Sequence, residues 1–331
     1  MIKRIVAFLL IGCTLCISGC SAKSQSAANR AENENKLYLI AGLDDAAQNA
    51  DVIFTVAYDA NACEMRVAQI PRDTYLRCES PQNKINQLYS AKLAAGASEE
   101  EAFSVFASAL ERQFGMRLDG YLAVKLDVFR RIVDMLGGVD IELSRDMTLT
   151  IDTDRTLVLK AGMNHIDGNA AECFIRYRSG YAMGDIGRLD AQKLFLSALF
   201  AKLKNGLTLP AVYELSSIIK NDAITDVRFP TDVFPLLDTV RDGQKKTVVF
   251  ATVPGEPAFG ENGVSFYILN RKSAAEMAKK YMFAFREFDP DRSFTNKSID
   301  SFANIYGDGT IKIREYSGED IRDMTITIKD Q

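Results

Sequence analysis

The sequence has a single histidine, His165, and few cysteines: six in 331 residues, of which Cys13, Cys16 and Cys20 fall within the first twenty. Cys63, Cys78 and Cys173 are left, an odd number with no CxxC spacing and no histidine beside them. That pattern argues against a zinc site and allows one disulfide at most. Cys63 and Cys78 are the pair close in sequence; export permits a bridge, and spacing alone does not decide it. Long basic runs are also missing, and the chain is slightly acidic, with 40 Lys+Arg against 44 Asp+Glu and a net charge of −4. A nucleic-acid binder carries a basic face, so no nucleic acid is expected as a partner. No apolar run reaches the ~18 residues that a membrane-spanning helix needs.

The first residues read as a targeting segment. Met1-Ile2-Lys3-Arg4 is a short positive stretch and Ile5 to Ile17 an apolar one, the pattern of a signal peptide over residues 1–19. It ends in Ile17-Ser18-Gly19-Cys20, which resembles the lipobox at which bacterial lipoproteins are cut, implying lipidation of Cys20; ordinary cleavage with Cys20 as a bystander is the alternative. Residues 20–36, rich in Ser, Ala, Asn and Glu, then form a flexible tether. Two or more acyl chains hold a protein on a bilayer where one is marginal. The mature chain is therefore expected on the outer face of the plasma membrane.

Beyond the tether, strands and helices alternate. "KLYLIAGLDD", "DVIFTVAYD" and "CEMRVAQIPRD" read as three strands in succession. Helices are expected from Ser98 to Phe114, with Ser98 as cap and Glu99 to Glu101 at its positive end, and from Asp190 to Lys204. This interleaving predicts an α/β fold, a central mixed sheet covered by helices on both faces, over residues 37–270 with a core at 37–204. Residues 271–331 read as a C-terminal helix and a small β-containing extension.

Polar residues gather at the expected strand ends. Asp44 follows the first strand, Asp51 opens the second and Arg72 follows the third, where ligands collect in an open α/β sheet. Two carboxylates without His or Cys suit a hard ion such as Mg²⁺, which keeps waters and takes further ligands from substrate phosphates. In "CFIRYRSGYAMGDIGRLDAQ", Arg176 and Arg178 share a face if the run is a strand. Arg188 and Gln192 share a face on a helix that begins near Ile186. Guanidinium groups meet phosphate oxygens by paired, charge-assisted hydrogen bonds, so phosphate, and best pyrophosphate, is the chemistry this set fits.

Seven segments, "LIAGLDD", "ADVIFTVAYD", "QIPRDTYL", "KINQLYS", "VDMLGGVDIEL", "LKAGMNHIDGNAAECFIRYRSG" and "GDIGRLDAQKLFLSAL", resemble in order and spacing the LytR-CpsA-Psr (LCP) family. The resemblance implies an extracytoplasmic phosphotransferase. Such an enzyme moves an anionic glycopolymer, such as teichoic acid or capsular polysaccharide, from a polyprenyl-pyrophosphate carrier to a peptidoglycan acceptor. It also implies roles: Arg72, Lys84, Arg176, Arg178, Arg188 and Gln192 on the lipid pyrophosphate, Asp44 and Asp51 on Mg²⁺, and Asp185 beside the reacting phosphate. One position departs from the family pattern, which usually has Arg two residues before the position of Asp51; here it is Asn49.

Blander readings apply elsewhere. His165, in a turn between strand-like segments, reads as structural. Asp152 and Asp154 read as solvated loop charges. The apolar faces of "DGYLAVKLDVFRRIVDML" and "LFLSALFAKL" fit either core packing or a groove for a polyprenyl tail. Two other functions stay open at this level: a lipoprotein that binds or senses a polyprenyl phosphate without transferring it, and a substrate-binding lipoprotein of a transporter.

Overall fold

The computed structural model describes residues 35–44, 49–59, 64–76, 79–150, 156–177, 181, 185–204, 208–228, 248–259, 263–285 and 315–317. Cys20, Cys63, Cys78, Asp152, Asp154 and Arg178 lie outside these residues, as does the side chain of Asp185.

In chain order, β1 (Lys36–Leu43), β2 (Ala50–Asp59) and β3 (Glu64–Gln69) lead to helices α1 (Leu88–Ala94) and α2 (Glu99–Phe114). Next, β4 (Gly120–Lys125) and α3 (Leu126–Met135) precede β5 (Val139–Leu143), β6 (Met147–Thr150), β7 (Thr156–Leu159) and β8 (Gly162–Ile166). Helices α4 (Gly168–Arg176), α5 (Asp185–Lys204) and α6 (Leu209–Asp222) follow. The chain continues through β9 (Ile224–Thr225), β10 (Val248–Thr252), β11 (Gly255–Phe259), β12 (Ser265–Leu269), α7 (Arg271–Tyr281) and β13 (Glu315–Ser317).

β1, β2 and β3 form an antiparallel meander, β4 joins β1 and β10 joins β3 in parallel, and β9 and β13 close the edges antiparallel. The resulting sheet is mixed, in the order β13-β10-β3-β2-β1-β4-β9. Side chains of a strand alternate between faces. Leu37, Leu39, Ala41 and Ile53 accordingly pack with Tyr89, Phe103, Phe106 and Met277 of α1, α2 and α7. Phe54, Val56, Met65 and Phe250 face the other way, onto Val133, Phe174 and Phe195 of α3, α4 and α5. The architecture is the expected three-layer α/β/α. Helix α7 shares the first of these two cores with β1, and β13, from the C-terminal region, pairs with β10.

Helix α2 is delimited by its own sequence. The Ser98 hydroxyl accepts from the Glu101 amide at 3.2 Å while the Glu101 carboxylate accepts from the Ser98 amide at 3.1 Å, a reciprocal capping box. Gly115, at φ 64°, ends the helix in a conformation that costs a residue without Cβ little.

Two local expectations are corrected. Residues 168–176 are helical, not a strand: Asp167 caps α4 by accepting from the Ala170 amide at 2.8 Å, and Ala171, Phe174 and Ile175 are buried at three- and four-residue spacing. Helical burial outweighed the β-branched and aromatic content of "CFIRY". His165 lies in β8, paired with β5, not in a turn.

Removing the α2 cap tests this account. Ser98→Ala should cost about 1 kcal/mol, lowering the melting temperature by about 2 °C, and Ser98→Asp should restore most of it. An unchanged calorimetric melt for Ser98→Ala would show that the capping box contributes nothing.

Candidate active site

The antiparallel meander brings three polar residues to one end of the sheet. The β1 end that leads into Asp44, the β2 start that carries Asp51 and the β3 end that leads to Arg72 are neighbours because β2 runs against both partners. Pairing passes from Gly42 opposite Val52 to Leu43 opposite Ala50, so Asp51 is the extra residue of a β-bulge. Bulges re-aim side chains. Here Asp51 and its neighbour Val52 line the same cavity. Arg72 Nη1 donates to Asp51 Oδ1 at 2.7 Å, and both side chains are mostly buried. Asp44 Oδ1 accepts from the Asn49 amide at 2.8 Å, and the Asp44 amide donates to the Asn49 carbonyl at 3.0 Å. The Asn49 side chain turns to α1, its Oδ1 accepting from the Ser90 hydroxyl at 2.9 Å.

A cavity of about 270 Å³ lies between this end of the sheet and helices α3, α5 and α6. Its polar lining is Asp44, Asp51, Arg176, Arg188 and Gln192; the rest is apolar, including Ile40, Phe54, Leu126, Phe129, Leu136, Leu199, Leu203 and Ile219. Helix α5 shows the gradient along one stripe: Arg188 and Gln192 near its start, then Phe195, Leu196, Leu199 and Leu203. At 1.5 Å per residue, Leu203 stands about 16 Å beyond Gln192. Four ionisable residues border one end of the cavity, and the rest of its surface is hydrocarbon. Helix α3 supplies Leu126, Phe129 and Ile132, so residues of both apolar stretches line the cavity, while Phe195 and Leu196 also belong to the core.

Arg188 is almost fully buried, 1% exposed. Arg176, on the last turn of α4, is half exposed and donates to Glu172 at 2.6 Å. Tyr181 packs against the first turn of α5, where a Cβ on Gly187 would meet the Tyr181 Cβ at 2.4 Å. Only glycine permits that approach. Burial pushes the Tyr181 phenol well above its ordinary pKa, so it stays neutral beside the arginine.

Of the residues expected at the site, the structure gathers Asp44, Asp51, Arg176, Arg188 and Gln192 in the cavity wall, with Arg72 one ion pair behind. Asp185 opens α5, three residues before Arg188. Lys84 is not brought into that wall. Its ammonium lies 3.3 Å from Asp73 and 5.3 Å from the Phe266 ring centre, and Asp73 also accepts from Ser265 at 3.1 Å. This cluster ties the segment before α1 to β12. His165 is also away from the cavity wall, exposed, with Nδ1 2.7 Å from Asp140. Sequence reasoning missed Gln69, whose amide donates to Gln192 Oε1 at 2.8 Å. The signal was present: Gln69 has the same parity as Val67 on β3, so it points into the core where an apolar side chain is expected.

Among the described residues no group of three or more His, Cys, Asp or Glu converges as a metal centre. Asp44 and Asp51 are the two carboxylates in the cavity wall. A pair of hard oxygen donors fits an ion that completes its shell with water and phosphate oxygens.

The LytR_cpsA_psr family model matches residues 18–282. The chain is 23% identical over 266 residues to TagV of Bacillus subtilis strain 168, a polyisoprenyl-teichoic acid–peptidoglycan teichoic acid transferase, covering 77% of this chain and 66% of TagV. It is 25% identical over 257 residues to TagU of Oceanobacillus iheyensis, a transferase of the same name, covering 73% of this chain and 76% of TagU. Among solved structures, B. subtilis TagV aligns with a TM-score of 0.63 at 22% identity, over 76% of this chain and 96% of that one. TagT bound to LIIa-WTA aligns at 0.62 and 21% identity, over 76% and 90%. The family match spans most of the sequence, and the chain belongs to the LytR_cpsA_psr family.

Proposed function

We propose that this chain is a phosphotransferase that attaches an anionic cell-wall glycopolymer, carried on polyprenyl pyrophosphate, to peptidoglycan on the outer side of the plasma membrane. The observation that carries this reading is one hydrocarbon-lined cavity bordered at one end by arginines, an amide and two carboxylates. A polyprenyl pyrophosphate has the same polarity: a dianionic or more highly charged head on an apolar chain. The names of the TagV and TagU relatives support the same substrate class.

Phosphoryl transfer asks the protein to position the phosphates and neutralise charge as it develops. Arg176 and Arg188 donate to pyrophosphate oxygens, Gln192 adds a neutral donor, and Arg72 holds Asp51 in place. An acceptor hydroxyl forms a new P–O bond to the sugar-linked phosphorus; the bond to the bridging oxygen breaks, and its electrons leave with polyprenyl phosphate. Asp185, at the start of α5, takes or orients the hydroxyl proton. Mg²⁺, held by Asp44 and Asp51, would add Lewis-acid stabilisation of the phosphate charge. Lipidation of Cys20, with residues 20–36 as a tether, holds the enzyme at the membrane where its donor resides.

The test is transfer itself. The purified protein, given a polyprenyl-pyrophosphate-linked glycopolymer, peptidoglycan and Mg²⁺, should yield the covalent conjugate; tight donor binding without any conjugate would instead make it a sensor of the lipid. Arg176→Ala should lower turnover on the order of 100-fold. It should leave the melting temperature within about 1 °C, since an exposed i,i+4 ion pair contributes only about 0.3–0.5 kcal/mol. Wild-type turnover in Arg176→Ala would remove that arginine from the mechanism. Chelation of divalent ions should abolish transfer and Mg²⁺ should restore it, with Asp51→Asn needing about tenfold more Mg²⁺ or failing altogether; transfer that survives exhaustive chelation would eliminate the metal.

A further inference from the structure

Behind Gln192 runs a chain of hydrogen bonds, buried at Gln69 and Gln192 and half-buried at Thr252. Lys193 Nζ donates to Thr252 Oγ1 at 3.2 Å, and Thr252 Oγ1 donates to Gln69 Oε1 at 3.3 Å. Gln69 Nε2 donates to Gln192 Oε1 at 2.8 Å, and Gln192 Nε2 donates to the Ile175 carbonyl at 3.1 Å. Gln69, Gln192 and Lys193 are 2%, 3% and 5% exposed. Thr252 and Gln69 are register partners on the parallel strands β10 and β3, and Lys193 is also paired with Asp190 at 2.8 Å.

The two ends of this chain decide its direction. An ammonium only donates and a carbonyl only accepts, whereas a hydroxyl and a carboxamide do both. With Lys193 at one end, Thr252 accepts from it and turns its own proton to Gln69 Oε1. Gln69 must then present its NH₂ to Gln192, and Gln192 must turn Oε1 to Gln69 and Nε2 to Ile175. A flip of either amide would set two acceptors or two donors face to face, in a site too buried for water to compensate. Gln192 Nε2 carries two protons. One is used on Ile175, which leaves the other for a further acceptor, and Gln192 borders the cavity beside Arg188.

We propose that Lys193, Thr252 and Gln69 are positioning residues that lock the Gln192 amide as a hydrogen-bond donor to the anionic head in the cavity. The proposal rests on the pyrophosphate reading of that cavity for its ligand, but not for the orientation of the amide. The relay reaches Ile175, one residue before Arg176, so it also fixes the end of α4 against β3.

Thr252→Val keeps the volume of the side chain and removes the hydroxyl in the middle of the relay; Thr252→Ser keeps the hydroxyl. Titrations with farnesyl pyrophosphate and with farnesol separate head from tail. Thr252→Val should bind farnesyl pyrophosphate about tenfold more weakly, bind farnesol as wild type does, and be rescued by Thr252→Ser. Lys193→Met, which removes the donor-only end, should show the same split. Equal weakening of both ligands, or no weakening of either, overturns the proposal.

A second measurement needs no ligand. In ¹⁵N-labelled wild-type protein the side-chain amide protons of Gln192 should be protected from exchange, and that protection should fall in Thr252→Val. Unchanged protection overturns the relay. Wild type that shows protected Gln192 protons but does not bind farnesyl pyrophosphate refutes the reading of the cavity while leaving the relay standing.

Discussion

The site depends on keeping charge dry at the edge of an apolar core. Burying an ionised side chain costs several kcal/mol unless partners take over the role of water. Here Arg72 lies against Asp51, Lys193 against Asp190, and Lys84 against Asp73. These pairs set the geometry of everything near them. The bulge in β2 brings Asp51 within reach of Arg72, and the close approach of Tyr181 to Gly187 seats the first turn of α5, which carries Arg188.

Helix α5 turns that constraint into a binding gradient. One stripe begins with Arg188 and Gln192 and ends with Leu199 and Leu203, so a single rigid element runs from the polar border of the cavity to its hydrocarbon end. α3 and α6 supply the opposite apolar wall. A site built on helices and strands holds its donors more closely than one built on loops, and preorganised donors are what phosphoryl transfer uses. The departure at Asn49 fits the same picture: its side chain serves the packing of α1 through Ser90, while its backbone amide organises Asp44.

Much of the candidate site was legible because it obeys local rules. The placement of Asp44, Asp51 and Arg72 at strand ends follows from three strands read as apolar runs bounded by turn residues, and the shared face of Arg188 and Gln192 follows from four-residue spacing on a helix. Arg176 lines the cavity, but on a helix and not on the strand that its residue types suggested. Its segment is helical, and the Asp167 cap with burial at Ala171, Phe174 and Ile175 was the signal that outweighed residue-type preference. The Lys84 side chain is held away from the cavity by Asp73, eleven residues earlier, whose other carboxylate oxygen accepts from Ser265 of β12, and by the Phe266 ring.

Sequence by itself determined the apolar strand runs, the caps of α2 and α4, the polar-to-apolar stripe of α5 and the family to which these motifs belong. All are interactions within one element or properties of one segment, and short-range spacing encodes them. Tertiary structure alone decided that Gln69 faces Gln192, that Thr252 and Lys193 stand behind them, and that α3, α5 and α6 enclose one cavity with the sheet. Those partners lie 59 to 183 residues apart. A buried polar side chain is tolerated wherever some partner satisfies it, and composition does not say which distant segment that partner comes from.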